Sequence, residues 1–247
     1  MKNRNILNFK SPTELSGFYL IYKGSVLNEK EGIRGISHLG EHLMCKNFDH
    51  LLNEFDENGI SWNAYTSDDA IVFYFTGLER KLSLYRDDLV ALLSHFNVTE
   101  EQFNNEKNIV IEEYENAFND QVYYHFGNLE RKLFNDYNPI GELNDLKKLT
   151  YQDMIDFVDI QYKKPSMIIN VSKDFEYSND NIEFVDVNTE LVKPIQYLKN
   201  NQYIHQESNE FKDKTSVAYI SDVIIDDFAA VTFITDMLGD GLKSPLY

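Results

Sequence analysis

The chain has 247 residues and a formal net charge of −18, from 41 acidic and 23 basic side chains. That balance argues against a nucleic-acid partner, whose phosphates it repels, and against docking on an anionic membrane. Apolar residues make up 43% of the chain and aromatics 14%, enough to build a core, so wholesale disorder is excluded.

In chain order, residues 17–24 are predicted to form a strand ended by Gly24, followed by a charged turn at 28–32. Gly35 or Ser37 opens a short helix running through Leu43 and Met44. A further helical piece at 49–58 stops at Gly59. Residues 60–66 and 70–76 are rich in aromatic and β-branched side chains, and Ser67-Asp68-Asp69 separates them, which predicts an antiparallel hairpin. Leu82, Tyr85, Leu89, Leu92, Leu93 and Phe96 fall near helical spacing, so one amphipathic helix is predicted over 78–96. Thr99 precedes a long helix at 100–119, and a second helical piece at 121–135 is broken by Pro139 and Gly141. Thr150 caps a helix at 151–162, and residues 167–171 form a short buried strand. These elements define an α+β fold, an antiparallel sheet with helices packed on one face.

The domains read as an α+β domain over 1–180 and a polar linker with short strands over 181–213. Residues 214–247 begin a second, incomplete domain. Its strand at 216–220 and helix at 226–238 echo the strand, turn and helix that start at residue 17. Cys45 is the only cysteine, so there is no internal disulfide, and a reducing compartment fits. Residues 1–16 lack the apolar run of a secretory signal. No run reaches the roughly 18 apolar residues of a membrane-spanning helix. A soluble, intracellular protein, in the cytoplasm, is the expectation.

The most informative stretch is His38-Leu39-Gly40-Glu41-His42. On a helix, residues three and four apart share a face, so two imidazoles can grip one metal ion with a carboxylate beside it. H-x-x-E-H is a catalytic zinc motif. Catalytic zinc takes three protein ligands and leaves one position for water. The run 106–113 on the long helix offers Glu106, Glu112 and Glu113 as the third ligand, and spacing alone does not choose among them. Glu106 and Glu113, seven apart, share a face, so one can ligate while the other orients a histidine. His50, His95, His125 and His205 have no partners at ligand spacing and read as structural or surface residues.

Together with this motif, Gly59…Asn63-Ala64-Tyr65-Thr66, the Glu106/Glu113 pair, and Gly141, Leu149-Thr150, Tyr162 and the strand at 167–171 resemble the insulinase/pitrilysin metallopeptidases, which include the mitochondrial processing peptidases. The tail at 214–247 resembles the opening of that family's second domain. The resemblance implies a zinc endopeptidase or oligopeptidase holding one Zn2+ per chain through His38, His42 and Glu113. It also implies Glu41 as general base, Glu106 as a supporting acid, and Asn63 and Ala64 on an edge strand that takes the peptide in extended form. The substrate it implies is a peptide or unfolded protein. The partner it implies is a second family half, in the same longer chain or as a separate subunit. The rival expectation is a non-catalytic subunit that keeps the fold and serves peptide binding or assembly.

Overall fold

The structure, a computed structural model, describes residues 5–119, 138, 140–162 and 164–184. The chain divides into two units, Met1–Glu207 and Ser208–Tyr247, and everything described lies in the first. The helix read at 121–135, His125, His205, nearly all of the linker and the tail lie outside the described residues.

Five strands form one sheet: β1 (Ile6–Lys10), β2 (Leu15–Lys23), β3 (Ser61–Thr66), β4 (Ala70–Leu78) and β5 (Met167–Ser172). The sheet order is β1-β5-β2-β4-β3. β3 and β4 are the expected hairpin, with Ala64 opposite Phe73, and β4 continues antiparallel onto β2, with Leu20 opposite Phe73. β5 also runs antiparallel to β2, with Tyr19 opposite Ile169. At the far edge, β1 lies parallel to β5, pairing Ile6 with Ile168. β1 has no counterpart in the sequence reading. It is short, and four of its five residues, all but Ile6, are exposed, so it lacks the apolar alternation that marks a half-buried strand.

Side-chain alternation gives the sheet its two faces. Phe18, Leu20 and Tyr22 of β2, Ile71, Phe73 and Phe75 of β4, and Ile168 of β5 are buried in the core. On them pack α1 (Ile36–Cys45), α2 (Leu52–Asn58), α3 (Glu79–Leu82), α4 (Arg86–Leu93), α5 (Glu100–Asn119), α6 (Leu143–Lys148) and α7 (Tyr151–Gln161). A 3-10 turn, Lys46–Leu51, joins α1 to α2. Thr150 caps α7 through a reciprocal exchange with Asp153.

One expectation is corrected. The single helix expected over 78–96 is two, because the chain turns at residues 83–85. In an unbroken helix Glu79 and Arg86 lie about 10 Å apart along the axis. The turn brings Arg86 back, so its two terminal nitrogens each donate to a Glu79 oxygen at 2.7 Å and one also reaches Ser16 at 2.8 Å. Arg86 is 2% exposed. Burial pushes the Glu79 carboxyl up, but hydrogen bonds from Arg86 and Ser16 and the guanidinium charge outweigh it and bring it to about 2. A depressed carboxyl stabilises the fold above its unfolded value, near 4.5, and that stability is lost as pH falls toward 2. Acid unfolding of the native chain should therefore steepen in that window. Glu79→Gln should flatten that limb and, by stranding buried Arg86, destabilise the neutral-pH fold by about 3 kcal/mol in urea titrations.

Candidate metal centre

The site is assembled where α1 meets α5. α1 has no side-chain cap of its own; Gly35 opens it with φ +99. Glu29 does the capping from outside: its two oxygens accept the backbone N–H of Gly35 and of Ser37, both at 2.8 Å. A carboxylate there also complements the positive end of the helix dipole. Gly40, within the motif, is required by packing. A Cβ at that position would lie 2.7 Å from the buried Tyr162 ring.

α5 begins with a second reciprocal cap. The Thr99 hydroxyl accepts from Gln102 N–H at 3.2 Å, and the Gln102 side chain accepts from Thr99 N–H at 2.9 Å. Its inward stripe reads Phe103, Glu106, Val110, Glu113, of which the first three are buried. The spacing that buries Phe103 and Val110 thus also aims Glu106 and Glu113 at α1. Glu112, left open by spacing, lies off that stripe and is exposed.

His38 and His42 face each other on α1, ring centroids 4.8 Å apart. Glu113 Oε2 lies 3.6 Å from His38 Nε2 and 3.5 Å from His42 Nε2. One donor atom from each of the three residues falls within 4.8 Å of the others. Two ligands of a tetrahedral zinc ion, each roughly 2.1 Å from the metal, stand about 3.4 Å apart. The donor set therefore fits that ion in chemistry and in spacing. Burial, with His42 adding to it, lowers His38 to about 4, so the ring is neutral at ordinary pH, as a ligand must be.

On the other side of His42, Nδ1 lies 3.3 Å from Glu106 Oε2. Lys46 Nζ reaches Glu106 Oε1 at 3.0 Å and Asp49 Oδ2 at 3.3 Å. Glu41 is 8% exposed. Burial raises its carboxyl, and a hydrogen bond from Thr66 and the charge of His42 partly oppose that rise. The Thr66 hydroxyl donates to Glu41 Oε2 at 2.5 Å, tying the carboxylate to the end of β3. β3 is last in the sheet order, so its outer backbone edge has no strand partner among the described residues. Asn63 and Ala64 lie on it, and the Asn63 side chain accepts from Ala64 N–H at 2.9 Å.

Sequence reasoning did not single out Glu29, Lys46 or the Thr66 hydroxyl. Lys46 did leave a signal: it stands four residues after His42, one helical turn along the same face. The other two act across loops, where spacing carries no information.

The sequence model described as insulinase (peptidase family M16) matches residues 9–141, more than half of the chain. A zinc protease of Helicobacter pylori, PqqE, is 29% identical over 202 residues, covering 73% of this chain and 44% of the relative. The crystal structure of a protease from the same organism superposes with a TM-score of 0.62 at 20% identity, covering 80% of this chain and 52% of that one. The first half of the periplasmic protease PqqL from Escherichia coli gives 0.57 at 20% identity, over 69% of this chain and 40% of that one. The chain thus spans about half the length, or less, of these relatives.

Proposed function

Because this chain belongs to the insulinase family of peptidases, we propose that it is the metal-bearing half of a zinc-dependent endopeptidase or oligopeptidase. The observation that carries the reading is the convergence of His38, His42 and Glu113 from two helices, within 4.8 Å. These three residues would hold one Zn2+. When bound, the ion supplies Lewis-acid chemistry, acidifying water and polarising a carbonyl.

The chain's own residues do the rest. Glu41, buried and one residue from His42, takes the proton from the attacking water and returns it to the leaving amine. It is not a ligand, since its lone pair is needed for that proton. Thr66 occupies one Glu41 oxygen and leaves the other for the proton. Glu106 accepts from His42 and fixes its ring. The free edge of β3, at Asn63 and Ala64, pairs with an extended peptide through backbone hydrogen bonds, a mode that demands little of the sequence. A peptide or unfolded protein is the substrate.

Residues 1–180 form this domain, 181–213 link it onward, and 214–247 begin its homologous second domain. The shares of its relatives that this chain covers, 44% and 52%, support a second half supplied by the same longer protein or by a separate subunit. No described helix is long and apolar enough to cross a membrane.

Metal analysis of the purified chain is expected to find one zinc per chain, lost in His42→Ala. Peptide cleavage should appear when the second half is co-expressed. A chain without stoichiometric zinc would overturn the reading. Zinc without cleavage under any pairing would identify a non-catalytic subunit.

A further inference from the structure

Lys46 pairs with Glu106 and Asp49 rather than with any of the three donor residues, yet it sits where their geometry is decided. α1 gives way to the 3-10 turn at Lys46, and the side chain still lies on the His42 face. Its ammonium is held between Glu106 Oε1 at 3.0 Å and Asp49 Oδ2 at 3.3 Å, and is 30% exposed. Glu106 is almost fully enclosed, its side chain 8% exposed.

We propose that Lys46 is a positioning residue for the metal centre, pinning the Glu106 carboxylate so that His42 presents Nε2 to the ion. The inference rests on the zinc reading above. An ammonium has three donors and no acceptor, so the Glu106 oxygen facing it acts as an acceptor. With Oε1 held, the carboxylate cannot spin, and Oε2 stays 3.3 Å from His42 Nδ1. An accepting carboxylate makes Nδ1 the donor. The lone pair of the neutral ring then lies on Nε2, the atom 3.5 Å from Glu113. Asp49 keeps the ammonium from swinging to solvent. Without Lys46, Glu106 is held by His42 alone, and both its rotation and the tautomer of the ring are released. Groups that orient a metal-binding histidine from behind change metal affinity by about 10- to 100-fold when lost.

The test uses the whole chain and zinc alone, with affinity read by competition against a chelating dye. Lys46→Met keeps most of the stem and is expected to bind zinc about tenfold more weakly; because it also strands the enclosed Glu106 carboxylate and lowers the unfolding midpoint of the zinc-free protein, affinities are compared under conditions where both chains are fully folded. Lys46→Arg should stay within about twofold of the native chain, since it restores the donor. In a Glu106→Gln background, Lys46→Met should add no further loss. Nitrogen-15 shifts of the zinc-free His42 ring should report an Nδ1–H tautomer in the native chain and a mixture in Lys46→Met. Native-like zinc affinity in Lys46→Met, or an undiminished loss in the Glu106→Gln background, would overturn the proposal. If Lys46→Met does not fold, Lys46→Leu, which likewise has no donor, carries the same comparison. A native chain that takes up no zinc refutes the metal reading instead; the His42 tautomer then still decides whether Lys46 does the pinning.

Discussion

Glu41→Gln is expected to leave one zinc per chain in place and to lower peptide hydrolysis by about a thousandfold in the assembled peptidase. The substitution preserves shape, and its carbonyl oxygen can still accept from Thr66, which now holds Glu41 Oε2 at 2.5 Å. None of the three converging donors changes, so metal content should not fall. What disappears is the basic oxygen proposed above to take a proton from water. The loss should fall on kcat, with KM little altered, because the substitution leaves the backbone edge of β3 at Asn63 and Ala64 unchanged. Fluorogenic peptide cleavage beside metal analysis reads both quantities. Hydrolysis within tenfold of native would remove Glu41 from the role of base.

The largest loss of stability is expected from Gly141→Ala. Gly141 has φ +99, and a Cβ there would lie 2.3 Å from Gly35 Cα, 2.6 Å from Gly35 N and 2.7 Å from the Arg34 carbonyl oxygen. All three are backbone atoms, so no side chain can swing aside. Left-handed strain of roughly 1–2 kcal/mol and overpacking of roughly 1–3 kcal/mol together predict a loss of about 4 kcal/mol in urea unfolding. Gly35 opens α1, so any relief by movement also shifts His38 and His42, and zinc affinity should fall with stability. Gly59 is the internal comparison. It too has positive φ, +64, but nothing lies within 4 Å of its would-be Cβ. Gly59→Ala should therefore show the strain alone, about 1–2 kcal/mol. Equal losses at the two positions would show that the Gly35–Gly141 contact contributes nothing.

Much of this arrangement is legible in the sequence wherever one short period governs one element. The 3,4 spacing of His38, Glu41 and His42 defines a helix face, and α1 occupies residues 36–45 as that spacing requires. The hairpin at 61–78 follows from two aromatic, β-branched runs around an acidic turn. Legibility fails where a distant partner overrides the period. Leu82, Tyr85 and Leu89 keep helical spacing through residues 83–85, but the chain turns there and Arg86 instead meets Glu79 and Ser16. α6, at Leu143–Lys148, passes unread because only Leu146 of its six residues is buried. For the site, the spacing leaves Glu106, Glu112 and Glu113 equal. They are separated only by which side of α5 meets α1, a tertiary fact: Glu113 lies near both Nε2 atoms, Glu106 behind His42, and Glu112 in solvent. Glu29 and Thr66 are ordinary residues until the fold carries them to the start of α1 and to Glu41.

β5 is the last strand of the described body to be synthesised, yet it stands second in the sheet, between β1 and β2. Until residues 167–172 leave the ribosome, those two early strands have no hydrogen-bonded neighbour between them. The three converging donors, by contrast, are all present once Glu113 is made. A nascent chain therefore owns all three converging side chains, His38, His42 and Glu113, well before the floor beneath them has closed. Closures over such long sequence separations are slow, and open strand edges recruit other chains. Through the interval between Glu113 and Ser172, the edges of β1 and β2 that β5 later fills are thus open to mispairing.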